Sequence, residues 1–363
     1  MRWDKIKMND IIIENPKSKI KVEESNNGEI PFFTSGENIL KSNNELVNGE
    51  NIFLSTGGFA SIKYFNGKAS YSTDTYSLKT KCNTLWLYYL ILSKLKRIDQ
   101  IMFQGSGLRH LNKNMFKNME ILLPSDKEQQ KIAEILSTVD EAIEKVEDKI
   151  KTTERIKKGL MDKLFIEKEL VPINELFHVI NGKTPSTKNK RYWDKSEINW
   201  FTPVDLKDNS ILLKESLRKI SKIALNETSI KLLPKKSIIF SCRAPVGLVA
   251  VMEEEGSFNQ GCKGLIPLKK ENINPYYYAY YISLNKQKLI NKAGQSTFKE
   301  ISTTLFETFE VPNLPIEKQN KTVNILSSID ELIESQKVEK DRLGRIKQGL
   351  MDDLLTGRVR VKV

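Results

Sequence analysis

The sequence predicts an α+β chain with a pseudo-twofold internal repeat, in which two similar mixed domains are separated by two long helices packed as an antiparallel coiled coil. Three observations support this prediction: a repeat at an offset of 190 residues, heptad spacing in both copies of one segment, and short β-like runs between those copies. The expected order is a first domain at 1–125, a first spacer helix at 126–170, a second domain at 171–315, and a second helix with a tail at 316–363.

The repeat is clearest in the helical segments. Residues 129–165 and 319–355 align without a gap and share 17 of 37 residues. The densest match joins Gly159-Leu160-Met161-Asp162 to Gly349-Leu350-Met351-Asp352. A chain that carries one unit twice can present two similar surfaces at a fixed separation, which suits the reading of two sites on one long ligand.

Each repeated segment is predicted to be a helix of about 40 residues, or roughly 60 Å. In the first helix, apolar residues follow steps of four and three, which is a heptad seam, at Ile132, Leu136, Val139, Ile143, Val146 and Ile150. The second helix has the same spacing but interrupts it at Gln336 and Lys340. Because the seams are near copies, we expect them to pack on each other; the alternative is two surface helices, each lying on its own domain.

The segments outside the helices read as mixed domains that repeat weakly. Strands are expected at 52–55, 238–241, 248–252 and 264–268, and helices at 85–95 and from 274 to 281. The run Ile30-Pro31-Phe32-Phe33-Thr34 is similar to Ile198-Asn199-Trp200-Phe201-Thr202, whereas the polar residues between such anchors differ. One scaffold with two loop sets is what two different recognition surfaces would need.

The positive charge is concentrated in the domains. The formal charge is +12, and residues 1–125 and 171–315 carry +5 and +7, against −2 and +2 for the two helical segments. This distribution favours a polyanion that touches both domains, although a merely lysine-rich soluble protein would also fit. The three cysteines are widely spaced and no apolar run is long enough for a signal peptide or a membrane span, so a reduced, cytoplasmic protein without a metal site is expected.

Several motifs resemble the specificity subunit of Type I restriction-modification systems, and the resemblance covers essentially the whole chain. Gly182-Lys183-Thr184-Pro185-Ser186, Tyr192-Trp193 and the Ile198–Thr202 run with Asp205 are similar to the family's G-x-T-P-S, Y-W and I-x-W-x-T…D pattern. Lys347–Met351 with Leu354–Val361 is similar to the family's C-terminus. The first domain departs from the pattern, because it has no Thr-Pro-Ser or Tyr-Trp element.

The resemblance implies a subunit without catalytic activity. Each domain would read one half of a split, asymmetric DNA target, and the two helices would set the gap between the halves. The helices would also dock two methyltransferase subunits and, through them, endonuclease-translocase subunits. S-adenosylmethionine, ATP and magnesium would then be bound by those partners and not by this chain.

Two motifs point instead to a methyltransferase. Phe103-Gln104-Gly105-Ser106-Gly107 matches an S-adenosylmethionine-binding string, and Asn274-Pro275-Tyr276-Tyr277 nearly matches a catalytic N-P-P-Y. The glycine string follows a polar stretch instead of a buried strand, and Tyr277 replaces the second proline. We therefore interpret the first as a turn and the second as a helix start with Asn274 as its cap. A coiled-coil scaffold that binds two proteins is a third alternative.

Candidate DNA contacts are polar residues in the loops between the repeat anchors. Arg can pair with guanine and Asn or Gln with adenine, whereas Lys, Ser and Thr more often bind phosphates. In the first domain they are Ser55, Thr56, Lys63, Tyr71, Ser72, Asp74, Ser106, Arg109 and His110. In the second domain they are Thr184, Ser186, Lys188, Arg191, Tyr192, Ser241, Arg243, Asn259, Gln260, Ser296 and Lys299.

Overall fold

The computed structural model describes residues 3–166, 169–194, 196–292 and 300–363. The chain divides into two compact units, each of which combines one domain with half of each long helix. The first unit comprises Met1–Asp148 and Lys337–Val363, and the second comprises Lys149–Gln336. The predicted α+β fold with two mixed domains and two long helices is confirmed.

The first domain is built around a four-stranded antiparallel sheet in the order β2-β8-β5-β6. Its strands are β1 (Asp4–Lys7), β2 (Ile12–Glu14), β3 (Ile30–Phe33), β4 (Leu40–Ser42), β5 (Glu50–Ser55), β6 (Ile62–Asn66), β7 (Ser70–Tyr71), β8 (Thr75–Thr80), β9 (Phe103–Gln104), β10 (His110–Leu111) and β11 (Glu120–Leu123). Its helices are α1 (Met8–Ile11), α2 (Thr84–Ser93), α3 (Leu95–Met102) and α4 (Lys113–Lys117). A second sheet, β4-β3-β7, includes a parallel β3–β7 pair.

Helix α2 covers this sheet because nearly its whole surface is apolar. The Asn83 side chain caps its first turn by accepting a hydrogen bond from the Trp86 amide at 2.8 Å. Trp86, Leu87 and Ile91 are fully buried against strands β5 and β8 and the start of the first long helix. The core of the first unit therefore joins the sheet to the long helices through α2.

The second domain repeats this plan with a five-stranded sheet in the order β13-β20-β17-β18-β15. Its strands are β12 (Leu170–Pro172), β13 (Phe177–Asn181), β14 (Ile198–Phe201), β15 (Leu212–Leu213), β16 (Lys219–Ile220), β17 (Ile238–Ser241), β18 (Val249–Met252), β19 (Gly256–Phe258), β20 (Cys262–Pro267) and β21 (Glu310–Pro312). Its helices are α6 (Lys222–Glu227), α7 (Pro275–Lys292) and α8 (Thr303–Glu307). The parallel pair β14–β19 corresponds to β3–β7 of the first domain.

The long helices are α5 (Asp126–Leu164) and α9 (Ile316–Leu354). Within the first unit their halves run antiparallel, since Lys340 pairs with Glu147 at 2.8 Å and Lys347 pairs with Asp140 at 2.5 Å. The break in the second heptad seam is therefore filled by a polar pair, in which Lys340 lies beside the partner helix. The alternative of two separate surface helices is wrong for this unit.

A Tyr-Asp-Lys cluster fastens the first domain to its helix halves. The Tyr89 hydroxyl of α2 donates to Asp140 of α5 at 2.7 Å, and the Lys347 ammonium of α9 lies 5.5 Å from the Tyr89 ring centre. Burial and the hydrogen bond to Asp140 raise the pKa of Tyr89, so the phenol stays protonated and remains a donor.

The second unit contains the same cluster with the helix roles exchanged. The Tyr280 hydroxyl of α7 donates to Asp330 of α9 at 2.6 Å, and Asp330 pairs with Lys157 of α5 at 2.5 Å. The Lys157 ammonium lies 5.2 Å from the Tyr280 ring centre. The repeat thus preserves a three-residue contact between each domain and both helices.

The chain ends of the first unit are held together by a clasp of Trp3, Glu128 and Arg360. The Glu128 carboxylate accepts hydrogen bonds from the Trp3 indole at 3.2 Å and from the Arg360 guanidinium at 2.7 Å. The guanidinium also lies 5.1 Å from the Trp3 ring centre. Burial alone would raise the pKa of Glu128, but hydrogen bonds from Arg360, Ser125 and Trp3 outweigh it and lower the pKa. In the second unit, helix α5 leads into β12 along one chain.

Candidate nucleic-acid interface

A buried serine organises the loop that follows the central strand of the first domain. The Ser55 hydroxyl, at the end of β5, donates to the Phe59 carbonyl at 2.7 Å and accepts from the Ser61 amide at 2.8 Å. The two bonds close residues 56–60 into a compact turn. The loop therefore has a fixed backbone and one outward side chain, that of Phe59.

The second domain contains the same arrangement at the end of β17. The Ser241 hydroxyl donates to the Pro245 carbonyl at 2.7 Å and accepts from the Leu248 amide at 2.8 Å. The matching contacts make Ser241 the structural equivalent of Ser55. The enclosed residues differ, because 242–247 read Cys-Arg-Ala-Pro-Val-Gly where 56–60 read Thr-Gly-Gly-Phe-Ala.

Neighbouring loops are joined to these turns by equivalent backbone bonds. In the first domain, the Thr56 amide donates to the Asp74 carbonyl at 3.0 Å, and the Leu111 amide donates to the Thr56 carbonyl at 3.0 Å. In the second, Cys242 donates to the Gly261 carbonyl at 2.9 Å and accepts from the Ile301 amide at 3.1 Å. We call the resulting surfaces the first loop surface (34–36, 55–61, 72–75 and 105–110) and the second loop surface (182–186, 202–205, 242–248 and 259–261).

The G-x-T-P-S segment lies directly against the 259–261 loop. The Lys183 amide donates to the Phe258 carbonyl at 3.0 Å, and the Thr184 hydroxyl donates to the Gln260 side chain. Gly182 is required here, because a Cβ at this position would lie 1.9 Å from the Asn259 carbonyl oxygen. Two predicted contact residues, Thr184 and Gln260, are therefore neighbours on the second loop surface.

The predicted residues divide into three groups. Four are buried and serve the fold, namely Ser55, Tyr71, Ser72 and Ser241. Those exposed or half-buried are Thr56, Lys63, Asp74, Ser106, Arg109, His110, Thr184, Ser186, Lys188, Arg191, Tyr192, Arg243, Asn259 and Gln260. Ser296 and Lys299 lie outside the described residues. The expectation that polar loop residues face outward needs correction at the first four, whose hydroxyls are used by backbone or side-chain partners inside the domain.

The three arginines predicted to contact bases are ion-paired. Arg191 and Arg243 pair with surface carboxylates, Glu227 at 3.2 Å and Glu300 at 3.1 Å. Arg109 places its guanidinium on both carboxylate oxygens of Asp99, at 3.1 and 3.2 Å. Hydrogen bonds from the Ala60 amide and from Arg109 lower the pKa of Asp99, so this carboxylate stays charged. Arg109 is the most constrained of the three, because both oxygens of one carboxylate hold it and its side chain is only 30% exposed.

Lys63 is directed inward. Its ammonium donates to the carbonyls of Thr34, at 3.2 Å, and Gly36. Burial lowers the pKa of Lys63, and the nearby Glu37 carboxylate partly offsets that effect. This lysine supports the 34–36 loop from beneath.

Sequence reasoning missed the exposed apolar residues of these surfaces. Phe59 is 76% exposed and Leu108 is 67% exposed on the first loop surface, and Val204 is exposed on the second. The signal that could have identified Phe59 is its setting, a lone aromatic residue between Gly58 and a small residue in a loop.

The two methyltransferase-like strings have other local structures. Phe103–Gln104 forms a two-residue antiparallel strand, and Gly105 continues into a turn with φ of +140°, without a following helix start. The Asn274 side chain accepts from the Tyr276 amide at 3.0 Å and thereby caps helix α7. Both interpretations as a turn and a helix cap are confirmed.

Three observations bear on metal binding and membranes. The cysteines Cys82, Cys242 and Cys262 are free thiols. No cluster of three or more His, Cys, Asp or Glu side chains able to hold a metal was found in the part of the chain that the structure describes. None of the helices in that part combines the length and apolar character needed to cross a membrane.

Comparison with known proteins agrees with this architecture. The family model for the Type I restriction modification DNA specificity domain matches residues 1–155 and 166–345. The MjaVIII specificity subunit of Methanocaldococcus jannaschii is 25% identical over 99% of this chain and 93% of its own length. The MjaIX specificity subunit of the same organism is 35% identical over 48% of this chain, a match that spans only 40% of that relative.

Solved structures show the same fold. The S subunit of a Type I restriction-modification system from M. genitalium superposes with a TM-score of 0.66 at 16% identity, covering 97% of this chain and 96% of that one. A chain from a study of complex assembly and conformational transition of the Type I system gives a TM-score of 0.64, covering 99% and 98%. With the family model matched across both domains, this chain belongs to the family of Type I restriction-modification DNA specificity subunits.

Proposed function

We propose that each loop surface reads one half of a bipartite, asymmetric DNA target and that the chain itself catalyses no reaction. The observation that carries this proposal is the common loop skeleton. Ser55 and Ser241 make the same pair of hydrogen bonds, while the residues they enclose differ. A constant backbone with variable tips suits two domains that approach the same kind of ligand but select different bases.

We further propose that the helix pair sets the gap between the half-sites and docks two methyltransferase subunits, through which endonuclease subunits join. The exchanged Tyr-Asp-Lys clusters support this, because each domain contacts both helices in the same way. S-adenosylmethionine, ATP and magnesium would be bound by those partners, and the assembled complex would work in the cytoplasm. Mass measurement of a reconstituted complex should give one copy of this chain with two methyltransferase copies; a single methyltransferase copy would contradict the proposal.

The test of target reading is a chain that carries residues 171–315 in both domain positions. Expressed with its methyltransferase partner, it should methylate a target whose two halves are the same, namely the half-site of the second domain. Unchanged methylation, or an active complex that methylates without a bipartite motif, would contradict the proposal. A matched control carries residues 1–125 in both positions and should select the other half-site.

The spacing role has its own test. Inserting four residues after Asp148 and after Val338 lengthens both helices by about 6 Å while the flanking ion pairs keep their register. The gap should grow by roughly one or two base pairs at about 3.4 Å each, with both half-sites unchanged. Altered half-site bases in an active complex would show that the helices do not set the gap between the half-sites.

Electrostatics separates this proposal from the scaffold alternative. The excess charge of both domains predicts that binding of random duplex weakens steeply as salt rises, because bound counterions are released. A log–log salt slope near zero would favour a protein scaffold. Methyl transfer by the purified chain alone would favour the methyltransferase alternative.

A further inference from the structure

Phe59 is an aromatic residue displayed at the tip of the first loop surface. Its side chain is 76% exposed, although Phe ordinarily gains from burial. Leu108, which is 67% exposed, lies in the adjoining loop, and the Gly58 amide joins the two loops by donating to the Arg109 carbonyl at 2.9 Å. The first loop surface therefore carries two apolar side chains on hydrogen-bonded segments.

The Phe59 ring is supported from one side by a fixed cation. The Arg109 guanidinium lies 5.0 Å from the ring centre, and Asp99 holds that guanidinium through both carboxylate oxygens. The same Asp99 carboxylate accepts from the Ala60 amide at 2.7 Å, next to Phe59 in the chain. With the Ser55 bond to the Phe59 carbonyl, the backbone that carries the ring is held in place before binding, which lowers the entropy cost of using the ring as a contact.

A preorganised, exposed ring has a specific use on DNA. The C5 methyl group of thymine is the apolar feature of the major groove, and Phe is among the side chains that contact it. Apart from Leu108, the surrounding groups of the first loop surface are polar, including Ser106 and His110, with one exposed carboxylate at Asp74, and the first domain as a whole carries a net charge of +5. The net positive charge of the domain favours a nucleic acid over an apolar protein partner.

Building on the proposed function, we propose that Phe59 contacts a thymine methyl group in the half-site read by the first domain, with Arg109 and Asp99 as positioning residues. In this arrangement Arg109 supports the reading residue and does not itself pair with guanine. The corresponding position in the second domain is Pro245, whose loop instead displays Arg243, so the second half-site does not share this contact.

The experiment replaces each thymine of the methylated motif in turn by deoxyuridine, which removes only the C5 methyl group. Binding of the intact complex should weaken about fourfold at one position of the first half-site, the effect of one buried methyl group. Phe59→Ala should bind the thymine target about as weakly and should not distinguish thymine from deoxyuridine. Arg109→Gln should reduce the ratio of thymine binding to deoxyuridine binding at that position, without affecting binding at the second half-site.

Leu46→Ala is the matched control, because Leu46 is 41% exposed and precedes the opposite end of the β5–β6 hairpin. The Leu46→Ala complex should prefer thymine over deoxyuridine by the same factor as the wild type. A Phe59→Ala complex that still distinguishes the two bases would overturn the inference, as would a wild-type complex indifferent to every first-half-site methyl. An equal loss on both targets would also overturn it and would indicate a ring inserted between bases. Absence of any bipartite motif would overturn the proposed function as well.

Discussion

The two domains differ where they are exposed and agree where they are buried. Ser55 and Ser241 are buried and make equivalent pairs of hydrogen bonds, yet one loop exposes Phe59 and the other exposes Arg243. Buried polar groups must be paired, so their partners are preserved with the backbone. Exposed tips carry no such requirement, and they are the positions at which the two domains have diverged.

The two units also differ in how the first strand of each domain is connected to the long helices. In the second unit the chain runs from α5 into β12, whereas the first unit brings its chain ends together through Trp3, Glu128 and Arg360. In the first unit a buried carboxylate with three kinds of donor thus links residues before β1 to α5 and to the segment after α9. Because Glu128 is only 4% exposed, removing its carboxylate would take an acceptor away from several donors at a buried position.

The largest expected effect is therefore at Glu128. Glu128→Ala leaves the Trp3 indole and the Arg360 guanidinium without this acceptor and should lower the free energy of unfolding by about 2–3 kcal/mol. Hydrogen exchange should report the loss in β1 and β11 of the first unit, with β12 and β21 unaffected. Equal loss in both units would contradict the assignment of the clasp to the first.

The clasp should also depend on pH. Because folding lowers the pKa of Glu128 below 4.5, its contribution is present above that pH and is lost as the pH falls through the folded value. The free energy of unfolding, measured from pH 7 to pH 3, should therefore differ between wild type and Glu128→Gln mainly near pH 7. A difference that grows towards acid pH would contradict this account.

A smaller effect is expected at the loop anchors. Ser55→Ala and Ser241→Ala each remove the acceptor of a loop amide and should cost about 1–2 kcal/mol. Each variant should weaken binding at its own half-site only, as measured by gel shift on targets with one half scrambled. Ser70→Ala is the control, because the buried Ser70 hydroxyl lacks a hydrogen-bond partner among the described residues, and it should be neutral or stabilising.

The smallest effect compares the Tyr-Asp-Lys clusters. Asp140→Asn and Asp330→Asn should each cost about 1 kcal/mol, with the larger loss at Asp330, whose side chain is less exposed. Hydrogen exchange in α2 and α7 would assign each loss to its unit. A variant that increases hydrogen exchange only in the other unit would show that the two clusters do not have equivalent roles.

The helices and central strands could be predicted because their signals are local. Heptad spacing placed the long helices, and apolar runs bounded by loops placed β17 at Ile238–Ser241. The loop surfaces could not be predicted in the same way. The sequence does not reveal which backbone groups a serine hydroxyl will bond, so it predicts outward positions for Ser55 and Ser241, which are in fact buried. The Asp99–Arg109 pair joins α3 to the loop before β10, so it depends on tertiary packing that the sequence does not show, and an exposed Phe59 contradicts the usual expectation of burial.

The most direct test of the common skeleton is a loop exchange. Residues 56–60 of the first domain are replaced by residues 242–247 of the second, between Ser55 and Ser61, and the methylated motif of the complex is sequenced. The account predicts altered bases in the first half-site, with the second half-site and the gap unchanged. An active complex that keeps the original first half-site, or that changes the second half-site or the gap, would contradict it.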